Sequence, residues 1–63
     1  MKDFYVVSSE KIDGGWCIVV ESADHWVRIG VEVWTDDEGT ATTAALHDAP
    51  AIAATLQPGV TAG

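Results

Sequence analysis

From Trp26 to Trp34 the chain alternates with period two: Val27, Ile29, Val31 and Val33 fall on one side, and Trp26, Arg28, Gly30, Glu32 and Trp34 on the other. Such a strand has one face to bury. It therefore needs neighbours in a sheet and a cover over its four aliphatic residues.

The flanking segments supply both. Phe4-Tyr5-Val6-Val7 is a β-branched and aromatic run ending in Ser8-Ser9-Glu10, and Trp16 to Glu21 is a second. Asp13-Gly14-Gly15 is the turn between them, and Ser22-Ala23-Asp24 closes the second run. After the long strand, Asp36-Asp37-Glu38-Gly39 reads as a turn in which Gly39 can take positive φ, and Thr40 to Leu46 as a fourth strand rich in threonine and alanine. His47-Asp48-Ala49-Pro50 has the form of a helix start, with Asp48 as cap and Pro50 in the first turn. Ala49, Ile52, Ala53 and Leu56 then make one apolar stripe, and Pro58-Gly59 ends the helix near Gln57. The expected fold is α+β: a four-stranded antiparallel β-meander with one short C-terminal helix packed on one face (ββββα). Residues 1–57 form the expected domain and 58–63 a flexible tail.

With a two-residue turn at Ala23-Asp24, Val20 faces Val27, Ile18 faces Ile29 and Trp16 faces Val31 on the core side. A turn at Glu38-Gly39 adds Ala44 opposite Val33 and Leu46 opposite Val31. For the first strand two outcomes stay open. A two-residue turn at Asp13-Gly14 sends Tyr5 and Val7 inward, and a bulged turn sends Phe4 and Val6 inward.

A chain of 63 residues supports only one thin core. Cores of this size seldom give more than about 3–5 kcal/mol without a staple. Cys17 is the only cysteine, so no disulfide can form within the chain. Cys17, His25 and His47 fall short of the four ligands of a closed zinc site, and no cofactor is expected. Self-association, with a dimer favoured, is the reinforcement left. The start Met1-Lys2-Asp3 and the short run Phe4–Val7 do not make a secretory signal, and no apolar run approaches the roughly 20 residues that span a bilayer. With an unpaired cysteine, this points to a cytoplasmic protein that does not bind membranes. Ten acidic residues against Lys2, Lys11 and Arg28 give a net charge of −7. That charge disfavours direct binding to nucleic acid, whose affinity comes from Lys and Arg displacing counterions.

One short helix covers one face of a four-stranded sheet. The open face in this register carries Cys17, Val19, Trp26, Arg28, Gly30, Trp34, Ala41, Thr43 and Ala45, with Glu21 and Glu32 among them. Aromatic residues and arginine are enriched at interface centres, and Gly30 between the tryptophans leaves room for a ring from another chain. Trp26, Arg28, Gly30, Trp34, Val19 and Cys17 are therefore the expected protein interface. The competing reading folds both tryptophans back over Gly30 as packing within the chain.

No catalytic constellation is legible, and an enzyme is not expected. Cys17 lies mid-strand between Trp16 and Ile18, where a packed thiol is the ordinary reading. His25 and His47 fall in exposed places, and Asp36-Asp37-Glu38 lacks the spacing of a calcium loop. The function read from these features is a small non-enzymatic interaction module, joining copies of itself or a host protein through the open sheet face. The alternative is an acidic inhibitor that mimics nucleic-acid charge in the basic groove of a DNA-acting host protein.

The sheet followed by Leu46-His47-Asp48-Ala49-Pro50-Ala51-Ile52-Ala53-Ala54-Thr55-Leu56 resembles small uncharacterised proteins of high-GC actinobacteria and their phages, in which a β-meander precedes an alanine-rich helix. The resemblance implies that architecture and a phage or mobile-element origin. It implies no activity and carries over no site residue.

Overall fold

The computed structural model describes residues 3–56. Strands β1 (Phe4–Ile12), β2 (Gly15–Ser22) and β3 (Arg28–Val33) form an antiparallel sheet in the order β1-β2-β3, and helix α1 (Glu38–Leu56) packs against all three. The architecture is βββα, not ββββα. The class remains α+β, but the expected fourth strand is helix.

Asp37 decides this. Its carboxylate accepts hydrogen bonds from the Thr40 backbone N–H (2.7 Å) and hydroxyl (2.7 Å), and its carbonyl accepts the Ala41 N–H at 3.0 Å. This is an N-cap, starting the helix eleven residues before the expected position. The Thr40 contacts hold the Asp37 carboxyl below its usual range. Gly39 sits in the first helical turn, and among the described residues Gly14, at φ +86°, is the glycine with positive φ. From the cap onward, Ala41, Ala45, Ala49 and Ala53 recur every fourth residue and are buried. Alanine has the best intrinsic helix propensity, and its small side chain lets the helix axis approach the sheet closely. The stripe runs through Ala49, so Asp48 is an exposed mid-helix residue and Pro50 lies inside the helix. Pro50 removes one i→i−4 hydrogen bond there, which the packed face on either side outweighs. The expected tail, 58–63, lies outside the described residues, as does the side chain of Leu56.

The β1–β2 hairpin turns at Asp13-Gly14, pairing Ile12 with Gly15. A bulge between Val6 and Ser8 then shifts the register, so that Val6 faces Val20 and Phe4 faces Ser22 on the core side. The tight turn and the inward Phe4 and Val6 are thus both present, with the bulge in the strand and not in the turn. Tyr5 and Val7 are exposed.

The β2–β3 register also differs from expectation, by two residues. Val20 pairs with Ile29, Ile18 with Val31 and Trp16 with Val33. The connection is a five-residue loop, 23–27, organised by Ser22 and Asp24. The buried Ser22 hydroxyl donates to the Asp24 carboxylate and accepts the Val27 N–H at 3.1 Å. The same carboxylate accepts the Trp26 N–H at 3.1 Å, and His25 takes φ +67°. Because the slip is even, it leaves every aliphatic residue on its expected face.

The core is Ile18 and Val20 of β2, Val27 at the end of the loop, Ile29 and Val31 of β3, and the alanine stripe of α1. Ile18 and Val20 are fully buried, each worth about 1.5–3 kcal/mol in transfer terms. Trp16 closes one end of the core. Its ring N–H donates to the Asp36 carbonyl at 3.1 Å, and Lys11 lies 5.9 Å from its ring centroid. Gly15 is required where the chain returns past the hairpin, because a Cβ there would lie 2.3 Å from the Val33 carbonyl oxygen and 3.0 Å from the Trp34 Cα.

Candidate interaction surface

All of α1 lies on one side of the sheet, so the other side is uncovered among the described residues. The registers set out its side chains in rows across β1, β2 and β3: Tyr5, Glu21, Arg28; then Ser8, Val19, Gly30; then Glu10, Cys17, Glu32. Four of the six expected interface residues, Cys17, Val19, Arg28 and Gly30, thus share this face as neighbours. The two tryptophans do not lie in the sheet. Trp26 belongs to the β2–β3 loop and is 83% exposed, whereas Trp34 follows the end of β3 and is 66% exposed. They bracket β3 at its two ends.

Trp34 packs within the chain at the hairpin turn, away from Gly30. Its ring lies against the Gly14 turn, 3.7 Å from where a Gly14 Cβ would stand. Trp26, at 83% exposure, is not folded over Gly30. A Cβ on Gly30 would meet only the Cys17 sulfur, at 3.9 Å. The centre of the face is therefore a shallow place lined by Ser8, Val19 and Gly30.

The first row holds the one polar network on this face that the sequence did not reveal. Glu21 receives the Tyr5 hydroxyl hydrogen bond, lies 2.8 Å from His25 Nδ1, and is gripped by Arg28 Nε (3.2 Å) and Nη2 (3.1 Å). His25 Nδ1 is also 3.1 Å from the Tyr5 hydroxyl, the two rings meeting edge to face. The Tyr5 hydrogen bond, followed by those from His25 and Arg28, holds the Glu21 carboxyl down at about 2. The same bond, with the nearby carboxylate charge, raises the Tyr5 phenol above its ordinary range. The network ties β1, β2, the loop and β3 together at one end. Tyr5 and Glu21 are far apart in sequence, and only the bulged register places them side by side.

The remaining acidic groups are dispersed. Glu38 accepts the Ser9 hydroxyl hydrogen bond, Asp37 caps α1, Asp24 orders the loop, and Glu10 and Glu32 flank Cys17 on the open face. The described residues hold no group of three or more His, Cys, Asp or Glu side chains able to share a metal ion. Cys17 is a half-buried free thiol, and α1 lies across the sheet from it. His47 pairs with Asp48 at 3.2 Å on the outward side of α1, beside a broad shallow depression bounded by Asp37, Thr40 and Thr43. No described helix is long and apolar enough to cross a membrane. Comparison with protein-family models, with curated proteins and with solved structures finds no match to this chain.

Proposed function

We propose that this protein is a non-enzymatic interaction module that self-associates, using the uncovered side of its sheet and the tryptophans at the two ends of β3. One observation carries the reading. Two large rings, Trp26 and Trp34, stand 83% and 66% exposed at opposite ends of one strand, in a chain whose core is built largely of alanine and valine. Each ring can bury on the order of 200 Å² against a partner. A second copy is the occupant, because the chain has no disulfide of its own and its small core gains from mass action when copies bind. The net charge of −7 opposes this at long range. Association therefore strengthens as salt screens the repulsion.

Mimicry of nucleic acid is the weaker reading, since Glu21, Asp24, Asp37 and Glu38 are engaged in holding the fold and do not line up along one edge. Sedimentation equilibrium across protein concentration, at low and moderate salt, tests the proposal. The expected result is a reversible dimer that the Trp26→Ser, Trp34→Ser double variant loses. A folded wild-type monomer at every concentration and both salts overturns it.

A further inference from the structure

We infer that two copies join edge to edge through β3, antiparallel about a two-fold axis at Gly30, into one six-stranded sheet. This rests on the self-association proposed above and on the same tryptophans, but seats the contact on the β3 edge between them and leaves the uncovered side of the sheet outside it.

The first observation is in the residues themselves. The segment Trp26-Val27-Arg28-Ile29-Gly30-Val31-Glu32-Val33-Trp34 reads the same in both directions about Gly30 in side-chain type, except that Arg28 is mirrored by Glu32. Antiparallel self-pairing centred on Gly30 sets Trp26 against Trp34 of the second copy, Val27 against Val33, Ile29 against Val31, and Arg28 against Glu32. Every pair matches, and the one charged pair is of opposite sign, occurring twice by symmetry.

The second observation is which backbone groups face the free edge. Ser22 donates its N–H to the Val27 carbonyl at 2.8 Å, which makes Ser22–Val27 a hydrogen-bonded pair. In an antiparallel ladder such pairs alternate with non-bonded ones. Val20–Ile29, Ile18–Val31 and Trp16–Val33 are then bonded, and Glu21–Arg28, Val19–Gly30 and Cys17–Glu32 are not. The N–H and C=O groups of Arg28, Gly30 and Glu32 consequently point away from β2. These are the residues that meet one another when the axis lies at Gly30, so every outward group of one strand finds its counterpart on the other.

The alternatives fail on the same grounds. Sliding by two residues sets Arg28 against Gly30 or against Trp34, which leaves Glu32 without its cation. Sliding further sets Arg28 against Arg28 or Glu32 against Glu32. The opposite edge of the sheet, β1, is bulged between Val6 and Ser8 and carries Lys11, both of which blunt edge pairing. Strand β3 pairs without a bulge. Arg28 grips Glu21 through Nε and Nη2, and its remaining nitrogen can reach Glu32 of the second copy. With the axis perpendicular to the sheet, both helices lie on one side and both uncovered faces form one continuous surface on the other.

The test combines a backbone block, a charge reversal and a register probe. Gly30→Pro removes an N–H that the monomer does not use, and edge positions tolerate proline. It is expected to weaken dimerisation at least about tenfold with the circular dichroism of the fold retained. Glu32→Arg places like charges opposite and is expected to weaken it about as much. In a Cys17→Ser background, Gly30→Cys should form an intermolecular disulfide under mild oxidation much faster than Arg28→Cys or Glu32→Cys alone, because only residue 30 meets its own twin, with Cα atoms about 5.5 Å apart. An equimolar mixture of the Arg28→Cys and Glu32→Cys chains should cross-link to each other. Should Gly30→Pro not fold, the charge reversal and the cross-linking pattern decide. A dimer that survives Glu32→Arg and cross-links no faster at residue 30 than at 28 or 32 overturns the edge register and leaves self-association standing. A monomer at all concentrations overturns both.

Discussion

Replacing Ile18 by alanine probes the centre of the core. Ile18 is fully buried on the middle strand, between Ser9 of β1 and Val31 of β3, on the side covered by α1. The substitution removes Cγ1, Cγ2 and Cδ1, worth about 0.8 kcal/mol each in transfer terms, or about 2.4 kcal/mol together. The cavity left under a helix held by small alanines cannot collapse fully, so the expected loss is about 3–4 kcal/mol, within the range for such truncations. A chain of 63 residues at roughly 0.05–0.15 kcal/mol per residue has about 3–9 kcal/mol in all. At about 4–8 °C per kcal/mol, Tm should fall by about 12 °C or more, and the variant is unfolded at room temperature if the wild type lies at the low end of that range. Urea denaturation followed by tryptophan fluorescence, at one fixed protein concentration so that association does not shift the midpoint, gives the value. Ile18→Val should cost about 0.5–1.5 kcal/mol, and Val7→Ala, on the exposed bulge, should change little. If Ile18→Ala cost less than about 1 kcal/mol, Ile18 would not be the centre of the core and the register of β2 against both neighbours would be wrong.

Three further outcomes are expected. Gly15→Ala should destabilise by about 1–3 kcal/mol or more, because its Cβ would collide with the Val33 carbonyl, a backbone atom that cannot swing away; an unchanged urea midpoint would contradict this close approach. Pro50→Ala should stabilise the protein by about 1–3 kcal/mol, since it restores a helical hydrogen bond at an exposed position inside α1; a loss of stability would mean that Pro50 lies in the first turn of a helix capped by Asp48. The Glu21 carboxyl is held at about 2, below its ordinary 4.5, so its contribution is complete above about pH 4.5 and is lost as pH falls toward 2. Glu21→Gln should therefore flatten the acid limb of the stability curve over that window, and an identical limb in wild type and variant would show that the Tyr5, His25 and Arg28 contacts do not form in solution.

The sequence by itself determined the three strands, the faces of the aliphatic residues of β2 and β3, and the presence of a turn at Asp13 to Gly15. Period-two alternation and turn glycines are local signals, and they survive an even slip of register unchanged. It also determined that a helix must cover the Val27–Val33 side, because nothing else in the chain could. What it left undecided were choices between locally adequate alternatives. Thr40 to Leu46 satisfies a strand reading by composition, and Asp48-Ala49-Pro50 satisfies a helix start by chemistry. The competition was settled by an Asp37 cap and by an alanine stripe that pays off only when a sheet lies beneath it. The bulge at Val7 and the five-residue loop after Ser22 were equally undecided, since each depends on hydrogen bonds that exist only once β2 is in place. The site followed the same division. Arg28 and Gly30 were placed by alternation alone, whereas the junction of Tyr5, Glu21, His25 and Arg28 needed two registers at once. The mirrored residues about Gly30 are written in the sequence, but only the tertiary structure showed that β3 is an edge strand and that the backbone groups of Arg28, Gly30 and Glu32 are the ones it turns outward.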